Sequence, residues 1–563
     1  MNAIPKDHLT STDADVISWL LALPLLERRE LEVLAEWSHA SISRSVGRLE
    51  RMGAVASVRA SVPGAPTVRR LYLTSAGISI AAGLKGTTPD TLLHRHPVSA
   101  HWIRLLLARL DGVSTIYRLT AAVAGAAGIR GFRWYRKLPL DALIELEGGR
   151  LLGVIREGRF APPSHLGRRL RSLVHGRHPD SLVVVAADPL RLRDWKSLLR
   201  QFPLSAFLVL EQDLLAGAEA SPVWHVPSDP DPWPLGRVIG LAKGGMVPTE
   251  RPPARTAPPP ANPATAVQQL PTGGTGGRTE DCFLPVALDA GNKRLLEMLA
   301  LWPWMCLSDL HDLMGVSSAR ALQFLDLPLR LRLVTRVRHD GRIRYLLANR
   351  GLGYLARRDR VAFPAMLRRW SPSPRSPDEP FSWRNVRGSR ARQLARDIVH
   401  TAAVHHFLAA VAAQARESGG RLVQAEPPHR AVRRFQVDGM YMSINPDAYA
   451  QIEHGGRVHH FFLEWERRAA HPALLRERIA PYLRYFGSRR PLDDDGAYPV
   501  LMVVLRDEIV ESHFLRLACD ELGKTSTAPL RVLASNAQAV EAQGALGHVW
   551  RERPGGKQNP PLP

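Results

Sequence analysis

Asp447, Glu464 and Glu466 are the side chains in this 563-residue chain whose types and spacing most suggest chemistry. They lie in NPDAYAQIEHGGRVHHFFLEWERR, from Asn445 to Arg468. Gly455-Gly456, after His454, suits the positive φ of a tight turn. Phe461, Phe462 and Leu463 form a short apolar run of strand type. Strand, turn and strand therefore bring Asp447 towards Glu464 and Glu466, and alternation puts the two glutamates on one face. Carboxylates gathered in this way repel unless one stays protonated or a hard cation sits between them. That is the frame of a magnesium-dependent nuclease centre, with Asp447, Glu464 and Glu466 as its candidate catalytic acids. The alternative is a half-exposed strand with solvated acids.

The same stretch occurs earlier in the chain. Residues 139–159 read PLDALIELEGGRLLGVIREGR. Asp141-Ala142 matches Asp447-Ala448, and Gly148-Gly149-Arg150 matches Gly455-Gly456-Arg457. With His454 as one inserted residue, Glu157 matches Glu464. The chain thus reads as two copies of one unit.

The elements that must position these acids are legible in part. Residues 14–86 have the pattern of a winged helix-turn-helix. ADVISWLLA and RRELEVLAE are two helices, and Ser41 to Met52 forms a third, ended by Gly53. Ile42, Val46 and Leu49 share one face of the third helix, and Ser41, Arg44, Ser45, Arg48 and Arg51 are expected on the other. Two strands follow around a Pro/Gly wing, with Arg59, Arg69 and Arg70 expected to reach phosphates. Residues 291–360 repeat the arrangement. There Asp340-Gly341 turns a tight hairpin carrying Arg336, Arg338, Arg342 and Arg344. Pro328 is expected to break the third helix of this copy, and Asp326 to face phosphates poorly.

Around these lie the remaining expected parts. A helical connector and a first strand-rich α/β unit occupy 87–245, and LVVVAA at 182–187 is a buried strand. A Pro/Gly-rich, disordered linker spans 246–280. A helix from about Gly388 to Gly419 opens the second α/β unit, over 381–550, with YPVLMVVL at 498–505 as the counterpart of LVVVAA. Pro481 is expected to kink or divide the helix at 473–486, and the tail from Pro554 to be disordered. Alternating strands and helices make the fold class α/β, or α+β overall.

Composition narrows the function. The formal net charge is +22, with hydrophobic residues at 45%. Such a chain folds into packed domains and favours a polyanionic partner, nucleic acid before an anionic membrane surface. Cys282, Cys306 and Cys519 are far apart and odd in number, which suits a reducing cytoplasm. The amino terminus has no apolar signal segment, and no run of about 18 apolar residues predicts a membrane span. His94, His96 and His101 lack the Cys or acid partners of a zinc site.

A winged helix, the helix HTAAVHHFLAAV, the strands PDA…FFLEWERR and a helix ending LRYF resemble the replication-relaxation proteins of bacterial plasmids and other mobile elements, which implies a bacterial cytoplasm. The resemblance covers about 290–490 and reaches 14–190 only through the internal repeat. It implies DNA binding in the replication, relaxation or maintenance of such an element. The sheet unit also resembles a PD-(D/E)xK nuclease core. On that pattern Asp447 is the first metal acid, Glu464 the second and Glu426 an upstream acid. The motif's lysine is replaced by Glu466, and no lysine lies between Lys293 and Lys524. Arginine is a poor general base because it stays protonated, so Arg467, Arg468 or Arg478 would only neutralise charge. The expected protein is therefore a non-catalytic, cytoplasmic, double-stranded-DNA-binding protein with no cofactor. Two winged helices each precede a nuclease-like unit, and relaxase or replication proteins are possible partners. The alternatives are a Mg- or Mn-dependent endonuclease and a winged-helix protein-assembly module.

Overall fold

A computed structural model describes residues 9–162, 164–174, 179–202, 205–217, 220–241, 265–267, 270, 279–339, 341–374, 382–466, 472–524 and 529–561. The chain divides into two compact units, Met1–Lys293 with Gly353–Met366, and Arg294–Leu352 with Leu367–Pro563. The fold is mixed α/β.

The first unit opens with α1 (Ser11–Ala22), α2 (Arg28–Ala35) and α3 (His39–Arg51), then the antiparallel hairpin β1 (Val55–Ala60) and β2 (Val68–Leu73), then α4 (Ser75–Leu84). Side-chain oxygens of Thr10, Ser38 and Thr74 cap α1, α3 and α4. After α5 (Pro89–Arg95), α6 (Ala100–Leu107) and α7 (Leu110–Ala127) come β3 (Ile129–Trp134), β4 (Ala142–Leu146), β5 (Leu151–Glu157), α8 (Ser164–Val174), β6 (Ser181–Ala186), α9 (Pro189–Leu199), β7 (Ala206–Leu210) and α10 (Glu211–Leu215). Short elements complete the unit: β8 (Trp224–His225), β9 (Pro232–Trp233), α11 (Leu235–Leu241) and α12 (Leu284–Ala287). The sheet runs β3-β4-β5-β6-β7-β8-β9, antiparallel up to β5 and parallel from β5 to β7. Alternate residues of its all-buried strand β6 serve two cores. Val183 and Val185 pack in the core that includes α7, and Leu182 and Val184 pack with Leu166 and Leu170 of α8 and Trp195 of α9.

The next elements are α13 (Ala290–Leu301), α14 (Leu307–Met314), α15 (Ser318–Arg330), the hairpin β10 (Val334–His339) and β11 (Arg342–Leu347), α16 (Asn349–Arg358) and α17 (Phe363–Trp370). α18 (Ser389–Arg396) and α19 (Ile398–Glu417) follow, separated at Asp397, which caps α19. The expected single helix over this stretch is thus two. β12 (Arg421–Glu426), α20 (Pro428–Ala431), the separate hairpin β13 (Arg433–Val437) and β14 (Met440–Ile444), β15 (Ala448–His454) and β16 (Arg457–Trp465) lead to α21 (Pro472–Phe486) and α22 (Arg490–Asp495). β17 (Val500–Leu505), α23 (Glu508–Lys524), β18 (Val532–Asn536) and α24 (Ala537–Gln543) end the series. The sheet order is β12-β15-β16-β17-β18, antiparallel to β16 and parallel beyond it, the pattern of the first five strands of the other sheet. α19 is apolar and long enough to cross a membrane by length and composition, yet over half of its apolar window is buried, as in a core helix.

Both helix-and-hairpin regions share finer details. Leu25 and Trp304, just before α2 and α14, have φ of 73° and 74°. Arg70 donates to the Leu25 carbonyl and Arg344 to the Trp304 carbonyl. A Cβ on Gly77 would meet the Ala54 carbonyl oxygen at 2.1 Å, and one on Gly351 the Leu333 carbonyl oxygen at 2.2 Å. Only glycine lets the helix after the hairpin approach so closely.

Several expectations fail on packing. α15 runs through Pro328, which lies in its last turn, so the single backbone bond it removes falls where the helix is about to end. α21 is one helix despite Pro481. Within the 246–280 linker, Val267 and Leu270 are buried, Ala266 bridges to Ser99 and the Leu270 N–H bonds the Tyr72 hydroxyl; most of the rest lies outside the described residues. The tail beyond Pro554 is ordered as far as Asn559, which pairs with Trp550 in a β-bridge.

Candidate nucleic-acid interface and acidic site

The third helix of the first unit has a narrower outward face than its composition suggests. Arg44 and Arg51 are exposed and bond only the backbone of their own helix, at the Ala40 and Gly47 carbonyls. Ser41 is half-buried at the capping turn, its N–H bonded to the Ser38 hydroxyl. Ser45 is buried and donates to Asp13 at 2.6 Å. Arg48 grips the same fully buried carboxylate, from Nε at 2.8 Å and from Nη2 at 2.9 Å. Burial pushes the Asp13 carboxyl up, but Arg48 and Ser45 overcome it and hold it below its ordinary value. Ser45 follows Ile42 by three residues and precedes Leu49 by four, so it belongs to the apolar stripe.

The hairpins need similar correction. Arg59 is exposed, and Arg69 is exposed but engaged by Glu50 and Ser57. Arg70 is buried and paired with Glu30 at 2.6 Å. Burial first, against the Arg70 charge, leaves Glu30 raised to about 6. Adjacent strand residues face opposite ways, so Arg69 and Arg70 could not both point outward. On the second hairpin Arg336, Arg338 and Arg342 are exposed and Arg344 is buried. Asp340 lies outside the described residues. Asp326 is exposed and paired with Arg330 one turn on.

In the second unit the acids sit at the carboxyl end of β16. Asp447 precedes β15, and its N–H bonds the Leu463 carbonyl. Its carboxylate accepts from the Trp465 N–H at 2.8 Å and faces His400 Nε2 at 3.0 Å. Glu464 accepts from the Tyr482 hydroxyl at 2.6 Å. Arg478, one turn before Tyr482 on α21, pairs with Glu466 and reaches Glu464 at 3.6 Å. Burial and then the neighbouring Asp447 charge push Glu464 up to about 8. A carboxyl held there is largely protonated at neutral pH, one of the routes by which such a cluster relieves repulsion. Arg467 and Arg468 lie outside the described residues. Glu426 is buried and paired with Arg430 at 2.5 Å. No group of three or more His, Cys, Asp or Glu is arranged to hold a metal among the described residues.

The first sheet shows the same backbone and different chemistry. The Asp141 N–H bonds the Val154 carbonyl, and the Arg156 N–H donates to the Asp141 carboxylate at 2.7 Å. These are the bonds made by Asp447 with Leu463 and Trp465. Ala142 pairs with Val154, and Ala448 with Leu463. Glu157 therefore occupies the place of Glu466, and Ile155 that of Glu464, so the sequence match of Glu157 to Glu464 is two residues out of register. The second hairpin is longer by three residues between these fixed points. Asp141 is bound by Arg169 at 2.6 Å and by Arg360. Burial alone would raise it, but these two cations hold it far below the usual carboxylate range. Glu157 bonds His165 at 2.6 Å and Arg169 at 3.2 Å. Sequence reasoning passed over Arg169, Arg360, His165, His400 and Tyr482. Only the spacing of Arg478 and Tyr482, one helical turn apart, offered a signal.

A mixed sheet with two antiparallel and two parallel pairings, an aspartate entering one strand and acids leaving the next, follows a helix-and-hairpin region in this half of the chain. Residues 306–501, from Cys306 before α14 into β17, match the replication-relaxation family. This stretch, well under half of the chain, is similar to that family, which supports a role related to replication or relaxation. No curated protein and no solved structure matches the chain.

Proposed function

We propose that this is a double-stranded-DNA-binding protein of plasmid or mobile-element replication, relaxation or maintenance, built by duplication of a winged helix and a nuclease-like sheet unit. The observation that carries DNA binding is the outward face of α3, where Arg44 and Arg51 are exposed with only backbone partners. The net charge of +22 supports it. The shared strand order, the paired positive-φ residues and the matching glycines support duplication. Titration of labelled duplex at several salt concentrations tests the proposal. Arg44→Ala and Arg51→Ala should each weaken a preferred site by ~1–3 kcal/mol if they touch base edges. Equal weakening on random DNA identifies phosphate contacts. Replacing Arg336, Arg338 and Arg342 together should lower the slope of log affinity against log salt by up to roughly three. Absence of binding at low salt would leave a protein-assembly module, with relaxase or replication proteins as the partners to test.

A second reading rests on one observation, the closeness of Asp447, Glu464 and Glu466 with Glu464 pushed up to about 8. A divalent cation would relieve the same repulsion, making the second sheet a Mg- or Mn-dependent endonuclease. Arg478 already neutralises Glu466, and the nuclease lysine is absent, which favours the non-catalytic reading. Nicking of supercoiled plasmid that vanishes in both Asp447→Ala and Glu464→Ala would establish the enzyme.

A further inference from the structure

Beside Asp141 in the first unit lies a cleft lined by Trp102 of α6, Arg109, Tyr135, Arg156 and Arg360. The cations in and beside it divide into two groups. Arg156 is clamped by Glu211 at 2.9 Å and 3.0 Å and lies 3.5 Å from Asp359. Arg358 is held by Asp359, and Arg360 by Asp141. These acids are fully committed. Arg109 in the lining and Arg136 just beside it remain, and among the described residues neither forms an ion pair. Arg136 lies over the Trp102 ring at 5.8 Å from its centroid. Burial, then the Arg360 charge and finally that of Arg136 press the Arg109 guanidinium down to about 10, against the opposing pull of Asp141. The buried Tyr135 hydroxyl makes no hydrogen bond.

A guanidinium withdrawn from water without a counter-charge is costly, and the usual remedy is an anion. The cleft is partly open and leaves about 30 Å³ of free space within it, room for one small group. Two neighbouring cations without ion pairs suit a group near two negative charges with oxygens for two guanidinium forks. A phosphate monoester carries about −1.5 to −2 at neutral pH. A carboxylate or an internal phosphodiester carries one charge and leaves one arginine uncompensated.

We propose that the first sheet unit is a phosphate-monoester site, with Arg109 and Arg136 binding the phosphate beside Asp141, the counterpart of Asp447. The phosphate comes either from free inorganic phosphate or from the terminal phosphate of a nucleic-acid strand. The site is independent of α3, because inorganic phosphate contains no groove to read.

Thermal unfolding and calorimetric titration of the full chain with inorganic phosphate, against sodium chloride at equal ionic strength, test this. Wild-type protein should show saturable binding and stabilisation by phosphate. Arg109→Gln and Arg136→Gln should each weaken it at least about tenfold. Circular dichroism checks folding, and the half-buried Arg136 decides the matter if Arg109→Gln does not fold. Competition by duplex bearing 5′-phosphate or 5′-hydroxyl ends separates the sources. Stronger competition by the phosphorylated end identifies a strand terminus, and equal competition identifies free phosphate. No saturable effect of phosphate on the wild type, or equal responses in wild type and both variants, overturns the proposal. Either failure leaves DNA binding through α3 untouched.

Discussion

In the first sheet Asp141 and Glu157 are tied together by one buried arginine, Arg169, with Arg360 and His165 completing their shells. In the second sheet the same backbone positions hold Asp447 and Glu466, a third acid replaces Ile155, and the neutralising arginine is half-exposed. One fold thus carries a buried, charge-balanced cluster and an acid-rich one that stays partly protonated. The strand order is common to both, so it does not set the electrostatics. The difference comes from which helix supplies the cation and how deeply that cation is buried. Arg169 is 2% exposed and Arg478 is 53% exposed.

The comparison breaks most severely at Arg169. Arg169→Ala leaves Asp141 and Glu157 buried with only part of their compensation, and should destabilise the first unit by about 3–5 kcal/mol. Chemical denaturation monitored at that unit's tryptophans measures this. A loss below ~1 kcal/mol would show that Arg360 and His165 suffice.

The two sites should also respond oppositely to pH. The folded pKa of Glu464 is raised above its unfolded value of 4.5, so its contribution to stability is complete below that value and is lost as pH rises towards about 8. Asp141 is lowered from 3.8, so its contribution is present above that value and is lost as pH falls below it. Glu464→Gln should abolish the decline in stability between roughly pH 5 and 8 and should make the second unit more stable than wild type at pH 8. Unfolding curves across that range check this, and an unchanged slope would place the ionisation elsewhere.

The smallest effect is expected at Arg478. Its exposed guanidinium is screened by water, so Arg478→Ala should cost about 0–1 kcal/mol. It should also raise the pH at which Glu464 ionises, because a favourable charge is removed. Carboxyl resonances in a titration followed by NMR would report that rise. A cost equal to that of Arg169→Ala would erase the distinction between the two sites.

Local signals in the sequence were enough for the α3 stripe of Ile42, Val46 and Leu49, the Gly455-Gly456 hairpin, the buried strands at 181–186 and 500–505, and the recurrence of Asp-Ala before a Gly-Gly turn. Each depends on neighbouring residues alone, through helical spacing, strand alternation or turn geometry. The tertiary structure decided the rest. Arg48, Arg70 and Arg344 look like their exposed neighbours in sequence, yet each bonds a group brought near only by folding: Asp13, Glu30 and the Trp304 carbonyl. Arg169 and Arg360 reach Asp141 from a helix and from a segment far along the chain. The register of Glu157 with Glu466 was set by hydrogen bonds between strands, which tolerate a three-residue change in hairpin length that a sequence match counts as a misalignment. Charge and periodicity are properties of the chain itself, whereas burial and partnership belong to the fold, and they determine whether an arginine faces solvent or is sealed beside an acid.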